Sequence, residues 1–124
     1  MASRPIFTPY LVIDSGDMSG NITSKVTVIQ NLSMLSYDIS WSGSTPVGVM
    51  SVQFSNSYSQ NADGSVRNAG NWTTITLNNP SNVSGNTGNG MIDIDATGAF
   101  AMRLVYTRAS GTGTMNAVVN GKVA

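Results

Sequence analysis

Three groups of side chains in this sequence could do chemistry. The first is paired carboxylates. Asp93 and Asp95 stand two apart in the run Gly90–Asp95, so strand alternation would put both on one face. Asp14 and Asp17 flank a Ser-Gly turn. Carboxylates this close suit a hard cation such as calcium better than glycoside hydrolysis, which needs two carboxylates across a cleft. No EF-hand spacing accompanies them, and they are read as solvated turn and strand residues. The second group is Arg103 and Arg108. They could pair with Asp38 or Asp93 across strands, or anchor an interface, where arginine is enriched. The third is Tyr58 and Trp72, which sit in and beside a long polar loop. Tyr58 is expected to be exposed there. Trp72 is read as a sugar-stacking platform or a lid over the core, the lid preferred.

What is missing narrows the chemistry further. The chain has no histidine, no cysteine and no glutamate. A Ser-His-Asp triad is impossible without histidine, and zinc ligation is implausible. No side chain titrates near neutral pH to serve as a general base. No phosphate-binding glycine loop follows a strand and opens a helix. The expectation is no catalytic site, no metal and no cofactor.

Charge is sparse and balanced. Six basic residues offset six aspartates, and charged residues make up 10% of 124. That is far below the usual quarter. A neutral chain has no electrostatic footprint for nucleic acid or an anionic membrane. Polarity comes instead from Ser, Thr, Asn and Gly. Such a surface can be buried against a partner without stranding ions.

The elements that must carry these residues are strands. Leu35, Tyr37, Ile39 and Trp41 alternate with Ser36, Asp38, Ser40 and Ser42. One face is apolar and the other fully polar, as in an antiparallel sheet with one wet side. Met50, Val52 and Phe54 alternate likewise, as do Ile92 and Ile94, and Phe100, Met102, Leu104 and Tyr106. These side chains form the expected core. Turns are expected at Ser15–Asp17, Gly43–Pro46 and Ala109–Gly113. The last makes residues 98–122 read as a hairpin. Asn21–Gln30 reads as one strand, and a small hairpin fits Asp63-Gly64 in the loop 56–71. No helical period occurs. About eight short strands with regular turn signals predict an all-β, antiparallel β-sandwich, jelly-roll or Greek-key-like.

Residues 1–9 are expected to form an extended arm ahead of a single domain spanning 10–124. Pro5 and Pro9 bar helix and favour extended backbone. Ile6, Phe7 and Tyr10 make this stretch apolar, to cover the domain's own edge or to dock on a neighbour. Phe7 is its expected anchor. The N-terminus lacks the apolar run of a signal peptide, so synthesis in a host cytoplasm is expected.

Three stretches together resemble small structural proteins of tailed bacteriophages. They are Val49–Ser55 (VMSVQFS), Asn71-Trp72-Thr73, and Phe100–Tyr106 (FAMRLVY) continued by TRASGTGT. The family's later segment is carried by Arg103, Leu104, Tyr106, Thr107, Ser110, Gly111, Gly113, Met115, Ala117, Gly121 and Lys122. Its earlier segment is interrupted, because Ser55-Asn56 is not followed by Asp-Gly until Asp63-Gly64. The resemblance implies a β-sandwich virion component, such as a capsid decoration or head-associated subunit. It implies other virion proteins and further copies of the chain as partners, and no catalytic residues. The assembly contacts would be Ile6, Phe7, Tyr10, Arg103 and Arg108. The alternative is a carbohydrate-binding module using Tyr58, Trp72 and loop amides.

Overall fold

The computed structural model describes residues 6–29, 34–75, 82–95 and 99–122. Every regular element among them is a β-strand. In chain order these are β1 (Ile6–Asp17), β2 (Ile22–Thr23), β3 (Thr27–Val28), β4 (Met34–Ser55) and β5 (Ser59–Gln60). There follow β6 (Val66–Asn68), β7 (Thr73–Ile75), β8 (Asn82–Val83), β9 (Thr87–Asp95) and β10 (Ala101–Lys122). Eight of them form one antiparallel sheet, and β5 pairs with β6 separately. The small hairpin expected at Asp63-Gly64 is therefore present.

The backbone of the fold is a ribbon of β4 and β10, each 22 residues long. They pair from Met34 opposite Lys122 to Ser55 opposite Ala101. None of the three expected turns is a turn: β1 runs on through Ser15–Asp17, and the chain turns only after it, at residues 18–20. The chain runs straight through Gly43–Pro46 and through Ala109–Gly113, so residues 98–122 are not a hairpin.

What interrupts the ribbon there is a pair of offsetting bulges. Register shifts fall between Arg108 and Ser110 and between Ser110 and Thr112. The first adds a residue on β10, the second on β4, and the original register then resumes. Thr45 and Gly111 take positive φ, 47° and 79°. Each bulge slips the alternation by one residue. In β4 the buried set changes from Leu35, Tyr37, Ile39 and Trp41 to Met50 and Val52. In β10 it changes from Met102, Leu104 and Tyr106 to Met115, Ala117 and Val119. Odd positions give way to even ones, or the reverse, while the inward side stays the same.

The ribbon thereby serves two half-sheets. One half runs β1, β10, β4, β9. The other joins β2 and β3 to β10, and β7 and β8 to β4. Inward side chains of both halves belong to one core, with Ile13, Met18, Ile29 and Val83 closing it. That is consistent with one sheet curled into a sandwich.

Eleven of the thirteen side chains expected in the core are buried. Phe54 and Phe100 are only half-buried, because they lie where the ribbon ends. The strand expected at 21–30 is broken into β2 and β3, and its inward residues are Thr27 and Ile29. Ser24, between β2 and β3, is also buried. Its hydroxyl accepts the Leu104 N–H at 2.8 Å and donates to the Lys25 carbonyl at 2.9 Å.

Asparagine amides repair the breaks in the ladder. Asn86 Oδ1 accepts the N–H of Thr45 at 2.8 Å, beside the β4 bulge. Asn116 Oδ1 accepts that of Ser15 at 2.8 Å, within an irregularity of β1. Asn21 Oδ1 accepts that of Arg108 at 2.9 Å. Main-chain donors that lose their strand partner need another acceptor, and a short amide supplies it.

Among the described residues one buried side-chain polar atom has no hydrogen-bond partner, the Tyr37 hydroxyl. Nearby, Thr27 Oγ1 accepts the Tyr10 hydroxyl at 3.1 Å. Burial pushes the Tyr37 pKa above the ordinary tyrosine range, Tyr10 adds to this, and the neighbouring Thr27 hydroxyl offsets part of it. An unsatisfied buried hydroxyl costs about 1–3 kcal/mol. Tyr37→Phe is therefore expected to keep or raise the melting temperature, by up to a few degrees in a thermal melt. A raised phenol pKa also makes the domain lose stability as pH climbs above about 10, where the unfolded tyrosine ionises first. Tyr37→Phe should make that alkaline loss shallower.

Candidate functional site

The loop between β4 and β7 is held in place from within. Ser55 Oγ, at the end of β4, accepts the N–H groups of Ser57 and Tyr58 at 3.3 and 3.1 Å. Ser57 Oγ accepts the N–H of Asn71 at 2.7 Å, tying the loop's two ends together. Gly70, at φ 78°, lets its backbone press against that of Tyr58. At the tip, Asp63 accepts the N–H and hydroxyl of Ser65 at 3.0 and 2.6 Å. Those bonds hold its carboxyl below the ordinary carboxylate range.

Tyr58 is not exposed, as the sequence suggested. It is 5% accessible, and Gln60 Nε2 donates to its hydroxyl at 2.9 Å. The loop folds back and uses Tyr58 as its own small core. Trp72 is half-buried beside it, with ring centroids 5.8 Å apart and planes at 54°. The indole N–H donates to the Ala69 carbonyl at 2.8 Å.

Arg103 reaches this pair from β10. Its guanidinium carbon lies 4.2 Å from the centroid of Trp72, a cation–π contact. Its Nε donates to Gln53 Oε1 at 2.8 Å, and Gln53 Nε2 donates to Thr74 Oγ1 at 3.1 Å. These links follow from register, since Arg103 faces Gln53 and Gln53 faces Thr74. Partial burial lowers the Arg103 pKa without discharging a guanidinium. The expected ion pairs with Asp38 or Asp93 do not form, because those residues belong to the other half-sheet.

The structure thus gathers Tyr58, Trp72 and Arg103 and leaves the other suggested residues elsewhere. Arg108 is exposed beside the β10 bulge, its Nε donating to the Gly111 carbonyl at 2.9 Å. Ile6 and Phe7 open β1, paired with Lys122 and Gly121. The boundary drawn at residue 10 falls inside that strand. Residues 1–5, and the side chains of Ile6 and Phe7, lie outside the described ones. Tyr10 is partly exposed, and its hydroxyl lies on Thr27. Gln53 and Thr74, which fix Arg103, escape a sequence reading because only the register reveals them.

The second surface is the outward face of the first half-sheet. It carries Ser36, Asp38 and Ser40 of β4, Asn89, Met91 and Asp93 of β9, and Asn116 and Asn120 of β10. Its polar groups are mostly hydroxyls and amides, with the carboxylates of Asp38 and Asp93 among them. Among the described residues no group of three metal-ligating side chains occurs. No helix among them is long and apolar enough to cross a membrane.

The aromatic cluster makes a direct prediction. Arg103→Ala should cost about 1 kcal/mol, from the lost cation–π contact and stem packing. It should also shift Trp72 emission to longer wavelength as the ring gains water. Unchanged emission would mean that the guanidinium does not shield the ring.

No model of a known protein family matches the sequence, and no curated protein matches it significantly. A solved structure is similar in fold: that of the SPBc2 prophage-derived protein YomS. The likeness covers 97% of this chain and 96% of that one, with 15% identity and a TM-score of 0.50.

Proposed function

We propose that this chain is a structural subunit of a bacteriophage particle, working through protein–protein contacts. One observation carries the reading. The segment from Arg103 to Lys122, which resembles phage structural proteins, is one unbroken central strand. It lies within a fold shared over nearly its full length with a prophage-derived protein. Within the particle, a capsid decoration or head-associated position is the specific reading.

The low charge supports an assembly role, since broad faces can meet without desolvating ions. Symmetric shells repeat one contact many times, so individually weak contacts suffice. Neither a cofactor nor turnover is expected of such a subunit. The sugar-binding alternative has less support, because Tyr58 is buried and one face of Trp72 is taken by Arg103.

The test is mass spectrometry of purified particles from the host strain. The chain is expected at a copy number comparable to other capsid components. Particles that lack it, alongside abundant chain in the lysate, would overturn the proposal.

A further inference from the structure

The two outer strands of the first half-sheet are unlike. β1 contains Pro9, and its pairing shifts register three times, between Phe7 and Tyr10, Leu11 and Ile13, and Ile13 and Gly16. Prolines and bulges of this kind blunt an edge against further pairing. β9 has none of them. Its nine residues pair with β4 in unbroken register, Thr87 opposite Ser42 through Asp95 opposite Met34. It contains no proline and no lysine. Among the described residues β9 pairs only with β4, so its other edge presents a row of main-chain donors and acceptors. Met91, at its midpoint, is 65% exposed, more than any other large apolar side chain described.

We infer that β9 pairs antiparallel with β9 of a second copy, about a two-fold axis through Met91. The sequence of the strand, TGNGMIDID, is self-complementary in that register. Met91 then faces Met91. Ile92 and Ile94 face the partner's Gly90 and the partner's Gly88, so bulk meets bare backbone on the inner side. Asn89 faces the partner's Asp93 on the outer side, so no carboxylate opposes another. This is the only antiparallel register that pairs all nine residues. Moving the axis to Asp93 would set that carboxylate against itself and leave the residues before Met91 unpaired. The result is one continuous eight-stranded sheet across two copies, in the order β1, β10, β4, β9, β9, β4, β10, β1. Its partner is a second copy of this chain, and the pairing does not depend on the phage reading.

Light scattering of the purified chain over a concentration series tests the association. The mass should rise from 13.0 kDa towards twice that value. The absence of native cysteine allows a single thiol to report the register. Paired Cα atoms across antiparallel strands lie about 4.5–5.5 Å apart, within disulfide reach. Met91→Cys should give a covalent dimer under mild oxidation. Ser40→Cys, exposed on the same face but away from the edge, should not. Asn89→Asp should weaken the dimer roughly 2- to 30-fold, and Asn89→Lys should tighten it. A mass fixed at 13.0 kDa would overturn the inference. So would a dimer in which Met91→Cys crosslinks no faster than Ser40→Cys. Neither measurement reads incorporation into particles, so failure here and failure of the proposed function are separable.

Discussion

Gly111→Ala is expected to destabilise the domain by about 3–5 kcal/mol, enough to unfold a marginally stable protein. Two costs add. Gly111 sits at φ 79°, where an L side chain is strained by about 1–2 kcal/mol. A Cβ there would also overlap the Thr45 carbonyl, which is backbone of the facing strand and cannot swing away. Gly64→Ala separates the two. Gly64 has a similar φ, 88°, but nothing stands within 4 Å of an added Cβ. It should pay only the conformational part, about 1 kcal/mol. Urea midpoints of the two variants measure the difference. Equal losses would mean that β4 and β10 do not approach closely at the bulges.

The next largest effect is expected from Leu104→Ala. Leu104 is fully buried between Met102 and Tyr106, opposite Val52 in the ribbon. Removing its isobutyl end leaves a cavity in a core fed by both half-sheets. The expected loss is about 2–5 kcal/mol, depending on how far neighbours collapse. Its N–H is accepted by Ser24, so the site is also pinned by its backbone and relaxes little. Val49→Ala on the outward face, where the side chain is 46% exposed, should change stability by about 0.5 kcal/mol or less. If the two variants lost similar stability, the inward assignment of even residues in this part of β10 would be wrong.

That assignment was legible in the sequence only within each half. From Leu35 to Trp41 strict alternation marks the buried side, and the structure agrees. The same holds from Met102 to Tyr106. The join was not legible. Gly43-Ser44-Thr45-Pro46 and Ala109–Gly113 are small, glycine-bearing stretches where alternation fails. Several turn types and the bulges found here both place a residue at positive φ, and both break the pattern. Local chemistry cannot separate them, because the difference lies in what each stretch faces. Here each faces the other.

The candidate site divides along the same line. That Trp72 lies outside the core was readable, since it borders a polar loop and follows no core alternation; its packing on Tyr58 and Arg103 was not. The burial of Tyr58 was not, because it depends on Gly70 closing over its backbone from twelve residues away. The asparagines were misleading for a related reason. As composition they suggest a surface for partners. In the structure Asn21, Asn86 and Asn116 serve irregular backbone.

The long ribbon also governs how the protein can be made. Its rungs join Met34 to Lys122 and Ser55 to Ala101, so none of them is local. During synthesis β4 emerges long before β10, and its first half meets only β9 in the interval. At roughly 5–20 residues per second, β4 waits on the order of seconds with its apolar face uncovered. Folding dominated by such distant pairings is slow in any case. The chain therefore passes through a stage in which β4 is a sticky, half-wetted strand. Recovery of soluble protein should accordingly depend on temperature and expression rate more steeply than the stability of the finished domain would suggest.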